Sequence, residues 1–185
     1  MRVIAGTCKG RRLFGPKRTD PIRPAIDKVK GAVFNILYSV EGLHVLDCFA
    51  GTGAMGIEAL SRGARYVAFI DALPAATALT ERNLRHLGLA ERAAVHTATV
   101  ERALKRLAKQ DAVFDLIFVD PPYRKDLVRP TLALIAATRL LAPEGRIVIE
   151  HDPKEIVDPP ATLTLTDQRK YGQTRITIVR KCVSA

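Results

Sequence analysis

Short apolar runs alternate with amphipathic segments through most of this chain. Leu43–Cys48 is an apolar run carrying Asp47, and a glycine-rich turn leads from it into a helix over Met55–Leu60. Tyr66–Ile70 reads as the next strand and is closed by Asp71; a helix over Pro74–Leu87 and a strand over Ala93–Thr97 follow. Val100, Ala103, Leu104, Leu107 and Ala108 then recur at helical spacing, with Arg102, Lys105, Arg106 and Lys109 on the outer side. Asp115–Val119 reads as a buried strand that stops at Asp120-Pro121-Pro122-Tyr123, and a helix over Leu127–Leu141 precedes the strand Arg146–Glu150. The end changes character: Thr162–Thr166 and Thr174–Val179 alternate about a turn at Tyr171-Gly172, which predicts an antiparallel hairpin. The beginning reads as a smaller hairpin, Val3–Ala5 against Arg11–Phe14, broken by Gly15-Pro16. Pro24 opens a helix that turns Ile26, Val29, Val33, Ile36 and Leu37 inward and Asp27, Lys28 and Lys30 outward, with Gly42 as its end. Repeated βα units closing on a hairpin predict an α/β fold: a doubly wound, mostly parallel, seven-stranded sheet with an antiparallel C-terminal edge. Residues 1–40 then form an extension of hairpin and helix on a main domain of residues 41–185.

Length and charge refine this picture. At 185 residues the chain suits one main domain, and 48% apolar with 26% charged residues is ordinary globular composition. The net charge of +10 is unevenly spread: residues 1–30 carry +7, residues 161–185 carry +4, and the stretch between carries −1. A near-neutral body with two basic ends points to a polyanionic partner. No apolar run is long enough to span a membrane, and Lys9, Arg11 and Arg12 stand where a signal peptide would be apolar. Cys8, Cys48 and Cys182 are scattered, as are the four histidines, so a reduced, cytoplasmic and metal-free protein is expected.

Two segments carry candidate chemistry. Gly51-Thr52-Gly53-Ala54-Met55-Gly56 matches G-x-G-x-x-G between a strand and a helix, and Asp71 closes the following strand. That pattern fits a dinucleotide-binding dehydrogenase, with the acid on ribose hydroxyls; tight helix–strand packing is its blander use. Asp47 argues against a dinucleotide. A carboxylate just before the loop repels a pyrophosphate and attracts a cation such as an amino-acid ammonium. Asp120-Pro121-Pro122-Tyr123 lies at the carboxyl end of its strand, the edge where open α/β sheets bind ligands. The Asp120 carboxylate and the Pro121 carbonyl can accept hydrogen bonds from an exocyclic amine and draw its lone pair out of conjugation. Proline brings no competing N–H, and Tyr123 offers a face for an unstacked base. A turn-capping Asp120 with a core-packed Tyr123 is the structural alternative.

Asp47-Cys48-Phe49-Ala50-Gly51-Thr52-Gly53 resembles motif I of the class I S-adenosylmethionine-dependent methyltransferases. With both motifs placed, the chain from about Arg2 to Lys181 resembles the ribosomal RNA small-subunit methyltransferase D family, guanine-N2 enzymes of 16S rRNA. The resemblance also rests on Lys9-Gly10-Arg11-Arg12-Leu13, Ile22-Arg23-Pro24, Asp27-Lys28-Val29-Lys30, Phe34-Asn35-Ile36-Leu37, Glu58–Gly63 and Lys170-Tyr171-Gly172. Ala25, Lys30-Gly31 and Thr97-Ala98-Thr99 depart from the family's usual residues. The resemblance implies a Rossmann-like fold and methyl transfer from S-adenosylmethionine, without a metal, to guanine N2. It assigns Asp120 and Pro121 to the amine and Pro122 and Tyr123 to the base. Asp47, Phe49, Ala50, Gly51, Thr52, Gly53, Gly56, Asp71, Thr97 and Ala98 would surround the cofactor. Arg11, Arg12, Lys17, Arg18 and Arg23 would clamp RNA phosphates, a role the charge distribution suggests independently. The expected partner is 16S rRNA, free or within the assembling small subunit, met by a cytoplasmic monomer without a membrane. The alternatives are a DNA adenine-N6 methyltransferase, a non-catalytic RNA-binding protein on the same fold, and the dehydrogenase, which lacks an evident hydride-transfer acid or base.

Overall fold

The computed structural model describes residues 1–15 and 24–182, so Lys17, Arg18 and Arg23 lie outside the described residues. Its elements are α1 (Pro24–Leu37), β1 (His44–Cys48), α2 (Ala54–Ser61), β2 (Tyr66–Asp71), α3 (Pro74–Leu87), β3 (Ala93–Thr97), α4 (Val100–Lys109), β4 (Phe114–Val119), α5 (Val128–Ala136), β5 (Leu141–His151), β6 (Leu163–Tyr171) and β7 (Thr174–Lys181). One seven-stranded sheet has the order β3-β2-β1-β4-β5-β7-β6. The first five strands are parallel, and β7 inserts antiparallel between β5 and β6.

Period-two alternation buries both faces of this sheet. Val45, Leu116, Phe118, Val148, Ile176 and Ile178 meet Val33, Phe34, Ile57 and Leu84 from α1, α2 and α3 on one side. Leu46, Cys48, Ile117, Val119, Ile147 and Val179 meet Leu104, Leu107, Leu132 and Ile135 from α4 and α5 on the other. Val3, Cys8 and Leu13 join the first of these clusters, so the N-terminal segment shares the core of the sheet.

Several boundaries differ from the sequence expectation. The first helix ends at Leu37 rather than Gly42, because Tyr38 turns left-handed (φ 60°) and Gly42 serves the following turn. α5 stops at Ala136: the Thr138 hydroxyl donates to the carbonyls of Leu134 and Ile135, and the Leu140 carbonyl accepts from Phe114 N, drawing the chain back into the sheet. β5 therefore begins at Leu141 and bulges before Arg146, where register with β4 resumes.

The N-terminal hairpin pairs over Met1–Val3 rather than Val3–Ala5, through Leu13 N to Met1 O, Val3 N to Arg11 O, Gly10 N to Val3 O and an Arg2–Arg12 bridge. Ile4 and Ala5 cannot extend the ladder, since both N–H groups donate to the Glu58 carboxylate at 2.8 and 2.9 Å. Gly6 then passes so close to α2 that a Cβ there would lie 1.8 Å from the Ser61 carbonyl oxygen; with φ at 80°, only glycine fits. Lys30, expected on the outer face, is buried at 2% exposure, with Nζ 3.2 Å from Glu58 and 2.7 Å from the Arg2 carbonyl. Its long stem reaches under the hairpin, where a carboxylate waits. Helical spacing alone does not reveal that.

Candidate active site

Strand order reverses between β1 and β4, which opens a crevice at the carboxyl edge of the sheet. Register fixes what meets there. Asp71 aligns with Thr97, and Asp47 on β1 aligns with Phe118 on β4. One residue beyond the last β1–β4 and β4–β5 pairs, Phe49, Asp120 and Glu150 continue the row.

The glycine loop is held open by its neighbours. Phe49 adopts a left-handed conformation (φ 62°), rare outside glycine and typical of sites where surrounding structure enforces strain. Gly53, at the start of α2, has φ 77°, and a Cβ there would lie 2.9 Å from Thr80 Cγ2, so the tight entry into the helix needs glycine. Asp71 braces the loop, its Oδ2 accepting from Gly51 N and its Oδ1 from Leu73 N, both at 2.9 Å. Thr80 Oγ1 donates to Gly51 O, and Asn83 Nδ2 donates to Thr52 O. Asn83 is fully buried and also pairs with Phe14 through both its amide groups, so one side chain ties the loop to the N-terminal segment.

Asp47 lies beneath this loop at 2% exposure, and its Oδ2 accepts from Gly56 N on α2 at 2.8 Å. Burial, with a smaller contribution from Asp71, lifts its pKa to about 7 against the lowering effect of Gly56. Thr97 and Ala98 close the far end: the Thr97 hydroxyl bonds Thr77 at 2.8 Å, and Ala98 N donates to Asp71 O.

Asp120, one residue past the end of β4, is exposed to solvent and lines a small recess with Val33, Phe118, Glu150 and Ile176. Desolvation first, then the charges of Glu150 and Asp47, push its pKa well above the usual carboxylate range. Glu150 is raised too, mainly by burial. Pro121 is buried, whereas Pro122 and Tyr123 are exposed, Tyr123 at 39%. The Tyr123 hydroxyl lies 2.6 Å from Thr174 Oγ1 on β7 and 3.5 Å from Glu150 Oε1, which anchors the ring.

Asp47, Asp71, the glycine loop, Asp120 and Tyr123 thus gather at one edge of the sheet. Glu150 and Thr174 belong to it as well. The sequence offered a signal for Glu150, the last residue of the strand beside that of Asp120; nothing local pointed to Thr174. Arg11 is directed to the far end of α3. The guanidinium of Arg11 donates to the carbonyls of His86 and Leu87 at the end of α3, a favourable place for a cation, while Arg12 is exposed. Among the described residues, no cluster of three His, Cys, Asp or Glu could hold a metal ion, and no helix is long and apolar enough to cross a membrane.

This sheet order, with a glycine loop and an Asp-Pro-Pro-Tyr strand end at its switch point, defines a Rossmann-like methyltransferase fold. Residues 1–180 match the family described as Conserved hypothetical protein 95. A Bacillus subtilis relative named "Putative rRNA methyltransferase YlbH" is 40% identical, covering 98% of this chain and 99% of its own. The Escherichia coli K12 protein named Ribosomal RNA small subunit methyltransferase D is 33% identical over 94% of this chain and 86% of its own. A solved E. coli structure titled "Putative methyltransferase yhhF" superposes with a TM-score of 0.85 at 33% identity, covering 98% and 97% of the two chains. The chain belongs to this family, that of the small-subunit rRNA methyltransferases D.

Proposed function

We propose that the chain transfers a methyl group from S-adenosylmethionine to the exocyclic N2 of a guanine in 16S rRNA, free or within the assembling small subunit. The observation that carries this reading is the position of Asp120, a carboxyl of raised basicity at the switch point, at the end of the strand between that of Asp47 and that of Glu150, whose carboxylate lies 3.5 Å from the Tyr123 hydroxyl. The names of the relatives support rRNA as substrate, and the sequence resemblance supports guanine N2. Residues 1–40 then act as an RNA-facing extension of a catalytic domain, residues 41–185, in a cytoplasmic monomer. Mass-spectrometric mapping of small-subunit rRNA, from cells with and without the chain, tests it. One N2-methylguanosine should disappear with the chain; unchanged methylation would overturn the reading.

The site fits this cofactor: Asp47 is a buried carboxyl with one oxygen engaged, and Asp71 keeps a second lone pair on each oxygen for ribose hydroxyls. When bound, S-adenosylmethionine supplies a methyl group on a sulfonium, which leaves as a neutral thioether. The rest is positioning by the chain. Asp120 and the Pro121 carbonyl accept the two amine hydrogens and aim the lone pair, and the Tyr123 ring holds the base. Once the nitrogen gains its fourth bond it is cationic, and Asp120 takes its proton.

Two predictions follow from this geometry. A cation binds the ionised form of Asp47, whose pKa is about 7. Affinity for S-adenosylmethionine should therefore rise with pH towards a plateau above 7 and fall by up to tenfold per unit below it. Calorimetry between about pH 5.5 and 8.5 checks this, and Asp47→Asn should flatten the curve. A flat curve in the unmodified protein would remove Asp47 from the cofactor's charge balance.

Tyr123 is expected to act through its ring, with the hydroxyl as anchor. Tyr123→Phe should cost about 3–10-fold in kcat/KM, the worth of one hydrogen bond, and Tyr123→Ala should cost more through lost stacking, about 1–3 kcal/mol. Thr174→Val should match Tyr123→Phe, and the double variant should be no worse than either. Additive losses would show that the two hydroxyls act separately.

A further inference from the structure

A second surface of the molecule is short of negative charge. It is a groove between α1 and the β6–β7 hairpin, lined by Asn35, Tyr38, Arg146, Arg169, Tyr171 and Arg180. Arg146 and Arg180 are cross-strand partners on the β5–β7 pair, and both side chains line the groove. Like charges placed opposite each other destabilise a sheet. Neither forms an ion pair among the described residues, and the acid at hand, Asp167, is taken by Arg169 at 2.8 Å. Arg146 reaches only the carbonyl oxygen of Leu37, at 3.3 Å. Burial and the Arg180 charge lower its pKa, as expected for a cation that lacks an anion.

Two features direct this surface to a nucleic-acid strand. Tyr38 is 94% exposed in a left-handed conformation, and Tyr171 stands across the groove, so aromatic faces interleave with the arginines. The groove also leads to the catalytic crevice. Val33 and Ile176 line the recess beside Asp120 and Glu150, while their neighbours Ala32, Ile36 and Ile178 line the groove along the same faces of α1 and β7. From Thr174, which holds Tyr123, to Arg180 the strand runs roughly 20 Å. The outer face of α4 is basic as well, but Lys105 there is paired with Glu101 and no aromatic residue lines it.

We propose that this groove holds the rRNA strand next to the methylated base, with phosphates on Arg146 and Arg180 and bases against Tyr38 and Tyr171. The proposal rests on the reading of the chain as an rRNA methyltransferase.

The test compares Arg146→Gln/Arg180→Gln with Arg102→Gln/Lys109→Gln, an equal loss of charge on α4, across the sheet. Small-subunit rRNA is used both deproteinised and within the particle. The groove variant should raise KM for RNA about tenfold or more, leave kcat and S-adenosylmethionine affinity within about twofold, and flatten the slope of log affinity against log salt by about 1.4. The α4 variant should do none of this. Equal losses in both variants, or an unchanged slope in the groove variant, overturn the proposal. Loss on the particle alone assigns the groove to a protein of the particle and also overturns it. If the unmodified chain neither binds nor methylates rRNA, the functional reading fails, and the proposal with it. Should the double variant unfold, Arg180→Glu alone, at an exposed position, should still weaken RNA binding. Photo-crosslinked peptides should include Tyr38 or Tyr171; their absence, with binding intact, would count against the groove.

Discussion

Asp120→Ala is expected to lower methyl transfer by about 10²–10⁴-fold, the range for losing a positioned acid–base group, while S-adenosylmethionine affinity changes by no more than a few-fold. The carboxyl follows the strand next to β1, and desolvation, then the charges of Glu150 and Asp47, raise its basicity. In the proposed mechanism it accepts a hydrogen bond from the amine and then its proton, so the two roles separate under substitution. Asp120→Asn keeps one acceptor oxygen but cannot take a proton, and should be nearly as damaged as alanine. Glu150→Gln keeps the shape of the site and removes a negative neighbour. The pKa of Asp120 should then fall, so the acid limb of the kcat profile should move to lower pH and the plateau should be reduced by the weaker base. An acid limb that stays in place in Glu150→Gln would mean that another group sets it. Retention of full activity in Asp120→Asn would leave Asp120 a hydrogen-bond acceptor only.

Much of this site is legible in the sequence because it depends on local grammar. The parallel strands are short apolar runs ending in Asp71, Asp120 or a glycine loop, and a strand's last residue faces the ligand edge whatever else the fold does. α3, β3 and α4 have the bounds that their apolar spacing predicts. What the sequence hides depends on contacts made at long range. Lys30 sits at an outward position by helical count, yet its ammonium is satisfied by Glu58, 28 residues on, and by the carbonyl of Arg2. The contacts of Arg11 with the carbonyls of His86 and Leu87 are equally hidden, because the carboxyl end of α3 is near the hairpin only in the folded chain. The partner of the Tyr123 hydroxyl comes from a strand 51 residues away. Of the two basic ends, the C-terminal one gains a groove only once β7 has inserted beside β5.

Loss of the Glu58 carboxylate is expected to be the most destabilising single change in the N-terminal half. Glu58 and Lys30 side chains are 0% and 1% exposed, 3.2 Å apart, and the same carboxylate accepts from Ile4 N, Ala5 N and Arg62 Nε. One buried group therefore joins the hairpin, α1 and α2. Removing one member of a buried pair leaves a desolvated charge without its partner, at a cost of about 3–5 kcal/mol. Here two backbone donors are orphaned as well, each costing roughly 1–3 kcal/mol unless water reaches it. Glu58→Leu should lower the urea midpoint accordingly. Adding Lys30→Met to it should restore part of the loss, since the stranded ammonium is gone, but not the share due to Ile4 and Ala5. Glu58→Gln, which keeps one acceptor oxygen, should fall between. Native-state hydrogen exchange separates local from global effects: in Glu58→Gln the amides of Ile4 and Ala5 should lose protection before those of β1 and β4 do. If Glu58→Leu costs less than about 1 kcal/mol, or if those two amides stay as protected as the central strands, the hairpin is held by Val3, Cys8 and Leu13 in the core and the ionic clamp is incidental.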